Sequence, residues 1–149
     1  MPRNKLAAEA WEALFRSQVA VMRRLQRHHR ADGLPMREYD VLYNLSLQPG
    51  RQLRLRDLNQ HILLSQPSLS RLVERMEADG LVSRCGDPAD GRGTVIQLTE
   101  AGLELQRSFG REHVRAIGDY VGSVLSAEEL RTLRTLCDKL RHAQPRLPS

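Results

Sequence analysis

A chain of 149 residues fits one domain of ordinary size, or a compact domain extended by helices at its ends. Twenty-three Lys and Arg against eighteen Asp and Glu give a formal net charge of +5, a balance that suits an anionic polymer such as nucleic acid and equally a merely soluble basic protein. No stretch approaches the roughly 20 apolar residues that span a bilayer, the start of the chain lacks the apolar run of a signal peptide, and Cys85 and Cys137 form neither a CxxC pair nor a disulfide framework, so a cytoplasmic chain without membrane association is expected.

From Leu6 to Arg30, Trp11, Leu14, Phe15, Val21, Met22 and Leu25 recur at helical steps and predict one long amphipathic helix. Asp32-Gly33-Leu34-Pro35 interrupts it, and a second helix is expected from Met36 to Leu47, ahead of Gln48-Pro49-Gly50. A short third helix fits Leu55 to Ile62. Ser65 is a good N-cap for a fourth, Gln66 to Asp79, with Pro67 in its first turn, Leu69, Leu72, Val73 and Met76 on one face, and Gly80 at its end. Leu81 to Cys85 and Thr94 to Leu98 read as two strands of a hairpin, with Gly86 to Gly93 as a long polar tip. Thr99 caps a fifth helix expected to reach Val124. Ser126 and Glu129 form a capping box that opens a sixth, carrying Leu130, Leu133, Leu136, Cys137 and Leu140. The tail from Gln144 to Pro148 is expected to be disordered.

Two short helices followed directly by a glycine-rich basic hairpin have the order of a winged helix-turn-helix, whose second helix enters the DNA major groove. At about 100° per residue, the fourth helix turns Pro67, Ser70, Arg71 and Glu74 away from its core face, flanked by Ser68 and Arg75. Small polar groups there allow close approach to base edges, the N-terminus capped by Ser65 favours phosphate, and Arg71 reaches a guanine or a phosphate. A solvated helix face is the alternative, and Glu74 and Glu77 on the same side favour it. The hairpin shifts the balance: Asp90-Gly91-Arg92-Gly93 sets one arginine among glycines, as insertion into a narrow minor groove requires, with Asp90 placed to hold the loop or a nearby arginine.

These segments resemble the MarR (multiple antibiotic resistance regulator) transcription factors. The likeness lies in Glu38-Tyr39-Asp40-Val41-Leu42, in Leu55-Arg56-Asp57-Leu58, in the run Ser68 to Val82, and most specifically in Asp87-Pro88-Ala89-Asp90-Gly91-Arg92-Gly93 with Leu98-Thr99-Glu100-Ala101-Gly102. The resemblance implies a mainly α fold with a small β-hairpin wing, in which residues 36–98 form the DNA-binding lobe and residues 5–32 and 100–143 interlock with a second copy. It also implies that Gln66, Ser68, Ser70 and Arg71 face the major groove while Arg92 enters the minor groove. A twofold dimer implies a palindromic operator with half-sites roughly 10 base pairs apart. The apolar stripes of the terminal helices agree with a homodimer, although packing within one chain would also explain them.

Family members commonly release DNA on binding a small aromatic or phenolic anion, and the resemblance makes Trp11, Phe15, His28, Tyr39, Tyr43 and His113 the candidates for contacting one. An aromatic side chain at helical spacing is more often core than pocket. A redox alternative rests on Cys85, beside Arg84; the peroxide-sensing branch of this family keeps its reactive cysteine near the start of the first helix, where this sequence has none. His28 and His29 are adjacent rather than four apart, and His61, His113 and His142 have no acidic or cysteine partner nearby in sequence, so no metal is expected unless folding gathers ligands. No GxGxxG, P-loop, GxSxG or HExxH is present, and neither a cofactor nor an enzymatic activity is expected. The reading is a sequence-specific transcription regulator, a repressor rather than an activator, with a winged-helix protein-interaction module as the rival.

Overall fold

The computed structural model describes residues 2–29 and 33–149. In chain order it contains α1 (Pro2–His29), α2 (Met36–Ser46), a 3-10 turn (Pro49–Arg51), β1 (Gln52–Arg54), α3 (Leu55–Asn59), α4 (Gln66–Ala78), β2 (Val82–Asp87), β3 (Asp90–Leu98), α5 (Glu100–Ile117), a π-helical turn (Gly118–Gly122), α6 (Ala127–Ala143) and a last 3-10 turn (Gln144–Arg146). The chain divides into two compact units, one made of Met1–Leu25 with Val114–Ser149 and the other of Gln26–His113. Among the described residues, no helix is long and apolar enough to cross a membrane.

The second unit holds a helix-turn-helix and a three-stranded antiparallel sheet of order β1-β3-β2. Its core is the set of apolar faces that the periodicity marks: Val41, Leu42 and Leu45 of α2, Leu58 of α3, Leu69, Val73 and Met76 of α4, and Ile96 of β3 are fully buried. Helix α4 starts where Ser65 accepts a hydrogen bond from the Ser68 N–H, with Pro67 in the first turn. It ends at Gly80, whose φ of +75° only glycine adopts freely; the Gly80 N–H donates to Glu77 O and the Leu81 N–H to Met76 O, closing the helix in a Schellman motif.

The structure corrects the sequence reading at several points. Helix α3 stops at Asn59 rather than Ile62, although Ile62 is still buried. A third strand, β1, had no counterpart in the reading; it pairs Leu53 with Ile96 and Arg54 with Val95. The hairpin has no long open tip, because Gly86 and Asp87 belong to β2, Asp90 to Gly93 belong to β3, and the turn proper is Pro88-Ala89. Helix α5 ends at Ile117, and the chain passes through a π-helical turn bounded by Gly118 and Gly122 before it reaches Val124. The tail expected to be disordered contains a 3-10 turn at Gln144–Arg146. Residues 30–32, where the first helix was expected to end, lie outside the described residues.

In the first unit the predicted stripe of α1 is only partly covered, with Leu14, Val21 and Met22 half-buried. Leu25 is buried, yet Trp11 is 60% exposed and Phe15 52%, with their rings 6.3 Å apart. Arg24 lies over the Tyr120 ring at 4.6 Å. The capping box of α6 forms as expected, Ser126 accepting from the Glu129 N–H and Glu129 from the Ser126 N–H. Nevertheless α6 buries no residue, and Leu133, Leu136 and Leu140 are all exposed. An apolar groove of about 580 Å³ runs between Leu14 and Val21 on one side and Val121, Val124, Leu125 and Leu133 on the other.

The chain returning from β3 is clamped to the end of α4. Thr99 Oγ1 donates to Gly80 O at 2.7 Å and accepts from the Gly102 N–H at 3.0 Å, while the Thr99 N–H donates to Leu81 O. This brings α5 so close that a Cβ on residue 102 would lie 2.1 Å from Leu81 O and 2.8 Å from Leu98 Cδ1. Gly102→Ala should therefore cost about 3 kcal/mol through backbone displacement, lowering the melting temperature by roughly 6–12 °C. A calorimetric scan that finds the variant as stable as the parent would show that the junction yields freely.

Candidate nucleic-acid interface

The exposed side of α4 is built from its N-cap outward. Ser65 Oγ donates to Ser68 Oγ at 2.9 Å, and Arg71 Nη2 donates to the same Ser68 oxygen at 3.4 Å. The three side chains thus form a short chain along the first two turns that restrains the Arg71 guanidinium. Gln66, Pro67 and Arg71 are exposed, whereas Ser68 and Ser70 are half-buried. Arg75 is exposed near the other end of the helix, where its charge acts on Glu38; burial and the Asp79 carboxylate raise the Glu38 carboxyl above its usual range and Arg75 draws it back. The helix therefore presents small polar groups at its start and cations further on.

Glu77, which on the sequence alone opposes an anionic partner, is turned to the sheet instead. Its carboxylate accepts from Arg84 Nε at 3.1 Å, from Arg84 Nη2 at 2.9 Å and from the Arg84 backbone N–H at 3.0 Å. Hydrogen bonding by that guanidinium holds the Glu77 carboxyl below its usual range. Cys85 is exposed on β2 beside this pair, so the charge of Arg84 is already committed to Glu77.

The wing places one arginine outside its own ladder. Gly86 pairs with Thr94 while Asp87 pairs with Asp90, so Gly91, Arg92 and Gly93 have no partners opposite and bulge from β3. Arg92 is exposed in the middle of that bulge. Asp90 Oδ1 accepts from the Arg92 N–H at 3.0 Å, so it holds the loop through the backbone and not through an ion pair with the guanidinium. Asp87 Oδ1 accepts from the Ala89 N–H at 2.9 Å and closes the turn. Its other oxygen, Oδ2, sits 2.7 Å from Arg54 Nε in an ion pair that lacks the alignment of a hydrogen bond. A Cβ on residue 93 would lie 3.0 Å from Asp87 Cβ, a tight approach that glycine beside Arg92 avoids.

A second cluster in the same unit gathers rings from three helices. His29 is 2% exposed, and its Nε2 lies 3.2 Å from His113 Nδ1. Phe109 stacks 4.3 Å from His29 and 4.7 Å from Tyr39, and Tyr43 lies 5.9 Å from Tyr39 and is partly exposed. Burial raises the Tyr39 phenol above its usual range against the opposing pull of a Gln106 hydrogen bond. His29 also lines a recess of about 490 Å³ with Gln26, Leu34, Met36 and Arg37. Among the described residues, no three His, Cys, Asp or Glu side chains come together as a metal would need.

A family model described as MarR family matches residues 32–93. The HTH-type transcriptional regulator MhqR of Bacillus subtilis is 30% identical over 120 residues, which span 78% of this chain and 79% of that protein. The chain belongs to the MarR family. Two solved structures of Streptomyces coelicolor regulators of this family agree with the assignment, both at a TM-score of 0.80 and 29% identity. AbsC covers 93% of each chain, and Sco3205, determined in complex with DNA, covers 95% of this chain and 88% of its own.

Within this MarR-family chain, the nine residues that the sequence nominated for DNA all lie on α4, its N-cap or the wing. The six nominated for a ligand divide. Tyr39, Tyr43 and His113 meet in the ring cluster, Trp11 and Phe15 belong to the other unit, and His28 is exposed while its neighbour His29 takes the buried place. His29, Phe109 and Arg54 were missed. The usable signals were the single turn that separates Phe109 from His113 on α5 and the position of Arg54 immediately before α3.

Burial, with the charge of His29 second, pushes the His113 imidazole below its ordinary range. The folded lobe therefore binds protons less readily at this site than the unfolded chain does. The resulting stabilisation is complete above the unfolded value of 6.5 and is lost as the pH falls below it. The melting temperature should drop between about pH 7.5 and pH 5.5, bracketing that value, and His113→Gln should flatten the drop. Parallel curves for the parent and the variant would assign the pH dependence to other groups.

Proposed function

We propose that the chain is a homodimeric, sequence-specific transcription regulator, a repressor, in which residues 36–98 bind double-stranded DNA and residues 5–32 and 100–143 pair with a second copy. The observation that carries the reading is the placement of Arg92 on a bulge outside the ladder, next to a helix whose start offers Gln66, Ser68, Ser70 and Arg71. A side chain projected from a glycine-flanked bulge suits a narrow groove, and a helix that starts with small polar residues suits a wide one. In support, a 29% identical relative has been solved in complex with DNA.

The dimer is supported by the apolar side chains that one chain leaves in water. Trp11, Phe15, Val124, Leu133, Leu136 and Leu140 are each more than 40% exposed, a concentration that monomeric proteins avoid. A second copy related by a twofold axis would cover them and would place two α4 helices on successive major-groove faces, which calls for a palindrome with half-sites roughly 10 base pairs apart. The recess beside His29, with the cation of Arg37 on its wall, suits a small aromatic or phenolic anion. Such an effector acts only as far as it distinguishes the DNA-binding conformation from another.

Selection of bound duplexes from a random pool at about 150 mM salt tests the reading. The parent should enrich a palindrome. Arg92→Ala should lose preference at the A·T-rich flanks, and Arg71→Ala should relax one half-site position by roughly tenfold or more. No enrichment by a folded, dimeric protein, or equal small losses on every sequence, would overturn the assignment.

A further inference from the structure

The wing is a two-stranded ribbon with a two-residue turn, an element too small to hold its own shape in water. Something else must fix the direction of Arg92, and the contacts lead to β1. Arg54 is the last residue of β1 and pairs with Val95 of β3. Its guanidinium turns along the sheet to Asp87 at 2.7 Å, where the carboxylate is only 5% exposed. That carboxylate also closes the Pro88-Ala89 turn through its other oxygen and lies against Gly93, the residue after Arg92. Arg54, Gln66, Asp87, Asp90 and Arg92 line one polar recess of about 170 Å³.

We infer that Arg54 is a positioning residue for DNA recognition, holding the tip of the wing through Asp87 so that Arg92 is presented in one direction. The inference rests on the reading of Arg92 as the groove-entering residue. A buried carboxylate needs a counter-charge, and Asp87 Oδ2 has no hydrogen bond to stand in for the charge that Arg54 supplies. Without Arg54 the carboxylate loses its counter-charge, and the turn it closes just ahead of Arg92 loses its anchor. Arg54 lines the same recess as Gln66 and Arg92, so salt dependence must separate positioning from direct phosphate contact. A residue that touched phosphate itself would contribute to the salt dependence of binding; a positioning residue would not.

A double-mutant cycle of Arg54→Met and Arg92→Ala, read as affinity for the selected operator over a range of salt, tests this. Arg54→Met keeps most of the aliphatic stem and removes the charge. It should weaken binding roughly tenfold when Arg92 is present and less than about twofold when Arg92 is already Ala, leaving the slope of log affinity against log salt unchanged. Arg54→Lys should restore part of the loss. Should Arg54→Met unfold the lobe, Arg54→Met combined with Asp87→Asn removes both charges; it should melt near the parent and still bind as weakly as a chain without the tether. Equal losses in both Arg92 backgrounds, a salt slope reduced by about one, or full binding by the charge-free pair would each overturn the inference. If Arg92→Ala alone leaves affinity intact, the reading of Arg92 falls and the inference with it; if Arg92→Ala weakens binding and Arg54→Met does not, only the inference falls.

Discussion

The hydrogen bonds of Thr99 hold together the parts of the lobe that the chain would otherwise leave loosely joined. Its hydroxyl and backbone link the end of α4, the start of β2 and the first turn of α5, joining residues 19 positions apart in sequence. The wing leaves the lobe at Leu81 and returns to it at Leu98, so both of its roots are fixed at this junction. The close approach of Gly102 to Leu81 then admits no side chain between them. With the roots held, the reach of the wing depends only on what happens along its two strands.

Along those strands the acidic residues act as internal spacers. In sequence, Glu77 argues against an anionic partner, Asp90 is placed to hold the loop, and Asp87 belongs to the wing motif. In the fold each is used inward: Glu77 on Arg84, Asp87 on Arg54 and the Ala89 N–H, and Asp90 on the Arg92 N–H. Arg71 and Arg92 remain exposed without a carboxylate partner among these. Glu74 stays exposed on the same side of α4, so the positive charge there is concentrated at Arg71, Arg75 and Arg92 and is not uniform. Charges that look balanced in composition are separated in space, and the separation is what a polyanion meets.

What was legible in the sequence follows from the range of each signal. The boundaries of α2 and α4 and the capping box of α6 came through because cap, periodicity and terminator all lie within a few residues of one another. Strand β1 was hidden because three residues, Gln52 to Arg54, carry no period, and the strand exists only through its pairing with β3. The wing strands were read too short because glycine and aspartate signal turns locally, whereas a bulge paired against Gly86 and Asp87 accommodates them within a ladder. His29 was passed over in favour of His28 because adjacent residues on a helix differ by about 100° in direction, and the register that buries one was not determined by the pattern. Likewise the ion pair of Arg54 and Asp87 joins positions far apart in sequence, linked only by strand register.

The side chains at the reading end of α4 limit how the lobe can discriminate. Serines 68 and 70 are short and half-buried, so they permit approach more than they measure base identity. Gln66 and Arg71 are long enough to span to a base edge, and the Ser65-Ser68 pair restrains the Arg71 guanidinium. On the proposed reading, with so few direct readers, a large share of specificity comes from the shape of the duplex, the property that an arginine on a bulged wing registers. That share depends on the wing holding still, because a mobile arginine gains the attraction of the narrow groove wherever it finds one and distinguishes little. Fixing the wing at its roots through Thr99 and along its length through Asp87 is therefore as much a part of recognition as the groove-facing side chains.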